Sequence, residues 1–139
     1  MTLYKNIAVA VDFSEQSLKA VEHAKNLALD YNAKLTLVSV VDTHTFGTVE
    51  AYDVKYADQL KNDYEKDLQT LKEKLLEEQQ LEIETVVEQG AAKKILTNLQ
   101  GVDLVVCGAT GKSKTEQVIL GSISQAILRY SKCDVLIVR

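Results

Sequence analysis

Several residue types are scarce or absent in this chain of 139 residues, and each absence excludes a class of protein. Its two cysteines, Cys107 and Cys133, are too few for a disulfide scaffold and indicate a reducing, cytoplasmic location. No apolar run approaches the roughly 18 residues of a membrane-spanning helix, and residues 1–6 lack a signal-peptide pattern. Proline is missing, for which the sequence offers no physical reason. We expect one domain over residues 1–139, with no membrane contact.

Acidic residues outnumber basic residues by 20 to 16, and the net charge of −4 argues mildly against nucleic acid as a partner. The charge is unevenly distributed along the chain. Between Glu50 and Glu88 there are 12 acidic and 5 basic residues, so the remainder carries an excess of basic residues. An anion-binding site is therefore expected outside this segment, whose charges are typical of a solvated helix face.

Apolar runs that alternate with helical periodicity predict five strands and four helices. The strands are expected at residues 5–11, 34–41, 81–88, 103–107 and 133–138. A helix begins after the Ser14 N-cap, with Leu18, Val21, Ala24, Leu27, Ala28 and Tyr31 on its apolar face. After a loop at 43–53 comes a long helix with an apolar stripe from Tyr56 to Leu75. A short helix contains Ile95, Leu96 and Leu99, and the last spans 122–130.

This strict alternation predicts the fold class. Strands that alternate with helices form a parallel sheet with helices on both faces, which is an α/β fold. The near-continuous apolar strands support this prediction, because strands that are covered on both faces lose the hydrophobic–polar alternation.

The ends of the predicted strands carry the residues suited to binding. Ligands of open parallel sheets bind beyond the carboxyl ends of the strands, and Asp12 and Asp42 follow the first two strands. The fourth strand runs into the segment Gly108-Ala109-Thr110-Gly111-Lys112-Ser113, and Gly121-Ser122-Ile123-Ser124 follows. Glycines let backbone N–H groups approach phosphate oxygens, a helix start favours anions and Lys112 adds positive charge. The alternative is that these glycines only form a tight turn.

Two common nucleotide-binding motifs are absent. Gly111-Lys112-Ser113 looks like the end of a P-loop, but Val106 occupies the position where that motif needs its first glycine. The first strand leads into Ala10-Val11-Asp12-Phe13 rather than G-x-G-x-x-G. Neither a P-loop NTPase nor a typical NAD-binding domain is supported.

The glycine spacing resembles a third motif. Gly108, Gly111 and Gly121-Ser122 match G-x2-G-x9-G-(S/T), the ATP-binding signature of the universal stress protein family. The stretch Asp12-Phe13-Ser14-Glu15 is similar to that family's opening, and the element order covers essentially the whole chain. The resemblance implies a single open five-stranded sheet of order 3-2-1-4-5, flavodoxin-like or adenine nucleotide α-hydrolase-like. It also implies a homodimer and a bound ATP with Mg²⁺ or Mn²⁺.

The resemblance also implies roles for individual residues. Asp12 would lie near the ribose or the phosphate-bound metal, Val40 near adenine, and the glycine loop at the phosphates and ribose. The expected nucleotide-binding residues are Ala10, Val11, Asp12, Val40, Gly108, Thr110, Gly111, Lys112, Gly121, Ser122 and Ser124. No catalytic residue is predicted, because His23 and His44 are expected at the surface and Cys107 in the packing.

We therefore expect an ATP-binding stress-response sensor or switch with at most slow hydrolysis. The alternatives are a slow ATPase or a nucleotide-dependent transferase. A phosphoacceptor receiver shares this sheet, but Val87-Glu88-Gln89-Gly90 lacks the aspartate that it needs at the end of the third strand. In the sheet order that the resemblance implies, the last strand lies at an edge, where we expect the apolar residues Val135, Leu136, Ile137 and Val138 to pair with a second copy.

Overall fold

The computed structural model describes residues 3–43, 50–111 and 120–139, with residues 50–53 described by their backbone alone. Its elements are β1 (Asn6–Ala10), α1 (Glu15–Tyr31), β2 (Lys34–Asp42), α2 (Glu50–Glu78), β3 (Ile83–Gly90), α3 (Ala92–Leu96), β4 (Leu104–Gly108), α4 (Ser122–Tyr130) and β5 (Asp134–Val138). The strand pairings are parallel and the order is β3-β2-β1-β4-β5. The predicted α/β class, the sheet order and the alternation of elements are confirmed.

Helices cover both faces of this sheet and bury a core on each. On one face α1 and α2 pack against the sheet, with Val9, Leu37 and Leu68 in the core. On the other face α3 and α4 cover a second core that includes Val105 and Ile127. Right-handed crossovers require this division, because the chain first moves towards β3 and then returns towards β5. The loops after the adjacent strands β1 and β4 therefore turn to opposite faces and leave a crevice between them.

Helix α1 begins as predicted, and its apolar face is confirmed except at Leu18, since Val21, Ala24 and Ala28 are buried and Leu27 and Tyr31 pack against the core. The Ser14 side chain caps it by accepting the N–H of Ser17 at 3.2 Å. Its buried face contains Ala20 and Ala24, whereas Leu18 is 41 % exposed, so the prediction for Leu18 is wrong. The small alanine side chains let α1 lie close to the sheet, and this close approach leaves the bulkier leucine outside.

Some predicted boundaries also differ from the structure. Helix α2 already begins at Glu50, so residues 50–53 are helical rather than part of a loop, and Tyr56 is 50 % exposed. Helix α3 ends at Leu96, before Leu99. Strand β2 is one residue longer than expected, and β3 has the expected length but begins and ends two residues later, because the parallel pairing of the two strands continues to Asp42 and Gly90.

The acidic residues of α2 lie mostly in solvent, as the charge pattern predicts. Leu68 and Leu75 attach the helix to the sheet, while Asp63, Glu65 and Asp67 are exposed.

Within the described residues, no helix has the length and apolar character required to cross a membrane.

Strand β5 forms one edge of the sheet, in agreement with the sequence prediction. It pairs with β4 from Leu104 opposite Asp134 to Gly108 opposite Val138. In the part of the chain that the structure describes, no strand pairs with its other side. This edge therefore has backbone groups that a second chain can pair with.

Candidate functional site

The residues after β1 form a turn that places a carboxylate at the carboxyl edge of the sheet. Oδ1 of Asp12 accepts the N–H of Ser14 at 2.9 Å, and Phe13 between them has a left-handed φ of 63°. The N–H of Asp12 donates to the Ser17 hydroxyl at 3.3 Å. These bonds restrict the Asp12 side chain, and only one of its carboxylate oxygens is used by the turn.

Helix α2 supports this turn with an aromatic residue. The Tyr64 ring stacks on Phe13, with ring centroids 6.1 Å apart and planes 17° from parallel. Burial raises the pKa of the Tyr64 hydroxyl, and the negative charge of Asp12 raises it further. Tyr64 is therefore neutral near pH 7. The sequence pattern had placed it only in the apolar stripe of the long helix.

Three of the residues expected to bind the nucleotide are apolar, and they lie at the ends of β1 and β2. Val11 is buried, its N–H donates to a β2 carbonyl at 2.8 Å, and its own carbonyl accepts the Ser39 hydroxyl at 2.6 Å. Ala10 and Val40 are half-buried on the face covered by α3 and α4. The ends of β1 and β2 therefore offer an apolar surface through Ala10 and Val40, while Val11 is used by the fold.

The beginning of α4 is hydrogen-bonded to the end of β4. The Ser124 hydroxyl donates to the carbonyl of Gly108 at 2.7 Å and lies 3.0 Å from that of Ala109. The N–H of Gly121 donates to the Ala109 carbonyl at 2.7 Å, and the Ala109 N–H donates to the Val138 carbonyl at 2.8 Å. Ser124 and the N–H of Gly121 therefore hold the loop in place.

Sequence reasoning missed Gln16, which connects the two sides of the crevice. Its Oε1 accepts the N–H of Thr110 at 2.8 Å. A Cβ built on Gly108 would lie only 3.0 Å from the backbone carbon of Gln16, so the close approach of α1 to β4 requires glycine there. The only sequence signal for Gln16 is its place in the first helical turn after Asp12.

The other two glycines of the motif have different surroundings. A Cβ on Gly111 would lie 2.6 Å from Oδ2 of Asp12, so the glycine segment and Asp12 face each other across the crevice. Among the described residues, a Cβ on Gly121 would meet nothing closer than 3.6 Å, and its φ of −70° suits any residue. The described neighbours therefore give a packing reason for Gly108 and Gly111, but none of them gives one for Gly121.

The first turn of α4 supplies the features expected of an anion site. The first N–H groups of a helix have no partners within the helix, and the helix dipole places partial positive charge there. Ser122 and Ile123 form the start of this nine-residue helix, and its first turn contains no acidic residue. The Ser122 side chain is exposed. Lys112 and His44 lie outside the described residues.

Asp12 can contribute to a metal site only when a bound ligand supplies further oxygen atoms to the metal ion. Among the described residues, no group of three or more His, Cys, Asp or Glu side chains could hold a metal ion. Mg²⁺ is commonly held by one or two carboxylates together with substrate phosphates, and one oxygen of Asp12 meets that need. Asp42 closes the neighbouring strand β2.

Cys107 is buried in the core, and His23, the one histidine among the described residues, is exposed on α1. Cys107 is 4 % exposed, and burial raises the pKa of its thiol to about 11, so it stays protonated at neutral pH. It packs in the core under α4, as predicted. His23 is exposed in the middle of α1, which agrees with the surface position expected for it.

The different surroundings of the two glycines lead to a stability prediction. Gly111→Ser should lower the free energy of unfolding by about 1 kcal/mol, because the new Cβ displaces Asp12 from its bond to Ser14. Gly121→Ser should change it by less than about 0.5 kcal/mol, because serine is a good N-cap and its Cβ fits. Urea unfolding of both variants measures the difference. Equal losses would contradict the described loop geometry.

Together, the sheet order, the opposed loops after β1 and β4 and the glycine segment define a flavodoxin-like α/β domain with a ligand crevice. The sequence model of the Universal stress protein family matches residues 3–139. A protein of Staphylococcus haemolyticus described as a universal stress protein is 37 % identical over 143 residues, which cover 100 % of this chain and 87 % of that relative. The chain belongs to the universal stress protein family.

Solved structures agree with this assignment. Universal stress protein UspA from Lactobacillus plantarum superposes with a TM-score of 0.90 at 25 % identity, over 98 % of each chain. A universal stress protein solved in complex with cAMP is 28 % identical and has a TM-score of 0.64, over 98 % of this chain and 97 % of that one. The chain is thus similar to these proteins over nearly its whole length.

Proposed function

We propose that this chain binds ATP, with Mg²⁺ or Mn²⁺, in the crevice between β1 and β4 and acts as a cytoplasmic stress-response sensor or switch. The observation that carries the proposal is Gly121, a residue at the start of a helix where no neighbour among the described residues requires a glycine. A close ligand supplies the missing reason, because a side chain there would occupy the space in front of the α4 donors. The family member solved with cAMP supports a nucleotide ligand.

The geometry suggests a direction for the bound nucleotide. The phosphates lie at Ser122 and the first turn of α4, beside Gly111, and Lys112 adds positive charge. Asp12, opposite Gly111, reaches them through the divalent cation, which removes the repulsion between carboxylate and triphosphate. The adenine lies over the apolar surface of Ala10 and Val40.

The same residues favour binding over efficient hydrolysis. Attack of water on a γ-phosphate benefits from a positioned base and a charge-stabilising group. Asp12 is assigned to the metal, and Cys107 is a buried thiol with a raised pKa. We therefore propose at most slow turnover. The bound nucleotide would bias the contacts that the protein makes with its partners, rather than being processed as a substrate.

The first test replaces Gly121. Gly121→Val should weaken ATP binding at least about tenfold, because the side chain blocks one or more charged hydrogen bonds between phosphate and helix start. Isothermal titration calorimetry with ATP and Mg²⁺ measures the affinity. Gly101→Asn is the matched control, since Gly101 has open space around it and asparagine tolerates its φ of 69°. Unchanged affinity in folded Gly121→Val would overturn the phosphate assignment.

The second test concerns the cation. Asp12→Asn should weaken ATP binding in the presence of Mg²⁺ and leave binding in EDTA equal or tighter, because the substitution removes both the metal ligand and the repulsion. Asparagine retains an oxygen that can accept the Ser14 N–H. Titrations with and without metal separate the two effects. Equal losses in both would point instead to a direct hydrogen bond from Asp12 to the ribose.

We further propose a homodimer in which β5 pairs with β5 of a second copy about a two-fold axis. Residues Val135–Val138 present a short apolar strand whose outer side has no partner strand among the described residues. The carbonyl of Val138 accepts the Ala109 N–H on the inner side. Since backbone groups of successive strand residues alternate in direction, Ile137 points its N–H and carbonyl outwards. Antiparallel pairing satisfies both edges and closes the assembly.

This alternation identifies the informative substitution. Ile137→Pro removes an outward donor and should give monomers at micromolar concentration, while the bonds between β4 and β5 remain. Leu136→Pro removes an inward donor and should instead lower the free energy of unfolding. Multi-angle light scattering measures the mass, with Ile137→Val as the control that keeps the N–H. A wild-type chain that elutes as a monomer would contradict the proposed dimer.

A further inference from the structure

Strand β3 forms the second edge of the sheet, and the proposed dimer does not use it. It runs over eight residues, against five for β5, and it pairs with β2 along its whole length without a bulge. Over residues 3–43, 50–111 and 120–139, no further strand pairs with its outer side. Proteins usually protect such edges with proline, lysine or a bulge, because unpaired backbone groups attract another strand. Strand β3 contains neither proline nor lysine.

One hydrogen bond fixes which backbone groups of β3 point outwards. The N–H of Leu35 on β2 donates to the carbonyl of Glu82 at 2.9 Å, so the groups of Glu82 point towards β2. Because the direction alternates along a strand, the outward N–H and carbonyl groups belong to Ile83, Thr85, Val87 and Gln89. The side chains of Ile83 and Val87 pack into the core under α2, so that face of the edge is already covered.

The opposite face of β3 presents two carboxylates with an apolar residue between them. Glu84 and Glu88 are exposed, and Val86 is half-buried against the core under α3 and α4. Side chains at alternate positions of a strand share one face. The Glu84 carboxylate contacts Lys34, whereas Glu88 forms no salt bridge with any described residue. The unpaired backbone groups therefore lie beside an acidic–apolar–acidic pattern.

These charges determine which kind of strand can pair with β3. If two copies paired antiparallel about Val86, Glu84 of each copy would lie opposite Glu88 of the other. Like charges directly opposite each other destabilise a strand pair, whereas opposite charges stabilise it. The glutamates therefore disfavour a second copy of this chain at β3 and favour a strand that carries basic side chains.

We propose that β3 binds an extended segment of a partner protein as an additional strand, with basic residues opposite Glu84 and Glu88 and an apolar residue opposite Val86. The outward backbone groups of β3 would supply affinity, and the alternate side chains would supply specificity. The proposal does not rest on the ATP site. In a dimer that pairs through β5, each end of the continuous sheet would carry one such edge.

The probe is the acetylated and amidated peptide TKTVTKT, whose sequence is the same in both directions and therefore tests parallel and antiparallel pairing together. In an NMR titration it should shift the amide signals of β3, with a dissociation constant of about 1 mM or lower. The matched acidic peptide TETVTET should not shift them. No shifts at several times that concentration, equal shifts with both peptides, or shifts confined to α2 would each overturn the proposal.

A proline substitution tests the backbone contact. Thr85→Pro removes an outward N–H, and proline is tolerated at edge positions whose N–H faces solvent. It should weaken binding of TKTVTKT at least about fivefold, since a hydrogen bond is lost and the ring hinders pairing. Thr85→Val keeps the N–H and should bind within about twofold of the wild type. Unchanged affinity in folded Thr85→Pro would indicate charge attraction alone and overturn strand addition.

A charge reversal tests the side-chain contact and does not depend on the proline variant. Glu88→Lys should weaken TKTVTKT severalfold and allow TETVTET to bind, because it reverses the charge opposite one basic residue. Glu77→Lys makes the same change at an exposed residue of the last turn of α2, and it should leave both affinities nearly unchanged. Equal losses in the two variants would show attraction by net charge and overturn the specific pairing.

Light scattering distinguishes a partner segment from a second copy. Thr85→Pro should have the same mass as the wild type at micromolar concentration, because β3 is not used between copies. A lower mass for Thr85→Pro would assign this edge to a second copy of the chain and would overturn the proposal.

Discussion

The close contact between Gly108 and the first turn of α1 sets the geometry on which the rest of the site depends. A Cβ placed on Gly108, at the end of β4, would lie only 3.0 Å from the backbone carbon of Gln16. At this distance the Gln16 side chain reaches the Thr110 N–H, and the following glycine meets Asp12. A larger residue at 108 would separate the two loops, and each of these contacts would be lost together.

The hydrogen bonds of the loop show how binding and folding share the same backbone. The N–H groups of Ala109, Thr110 and Gly121 are used by acceptors within the protein. The two described ends of the loop are therefore preorganised, and the donors proposed for a ligand come from the first turn of α4 and from hydroxyl groups. The Gly121 N–H, which donates to the Ala109 carbonyl, is therefore not among the donors proposed for phosphate.

Much of the fold could be predicted because periodicity and capping are local properties of the chain. The Ser14 cap, the bounds of α4 and the apolar last strand follow from residues adjacent in sequence, whereas the position of that strand at an edge followed from the family resemblance. The orientation of Leu18 could not, because it depends on how closely alanines let α1 approach the sheet. Gln16 and Thr110 are 94 residues apart, and no local pattern records that they meet. The spacing of the glycines identified the motif in the sequence. The structural role of each glycine, however, depends on the atoms around it, which only the structure shows.

The freedom around Gly121 has a consequence for how such a domain evolves. A Cβ there would make only ordinary contacts with its described neighbours and its backbone suits any residue, so these residues give selection for folding no reason to conserve this glycine. A single base change in a glycine codon yields valine, alanine or serine. After gene duplication, one copy can therefore lose the proposed ligand in one step and keep its fold. At Gly108 the same step would disturb the fold, so the two glycines should drift at different rates among descendants.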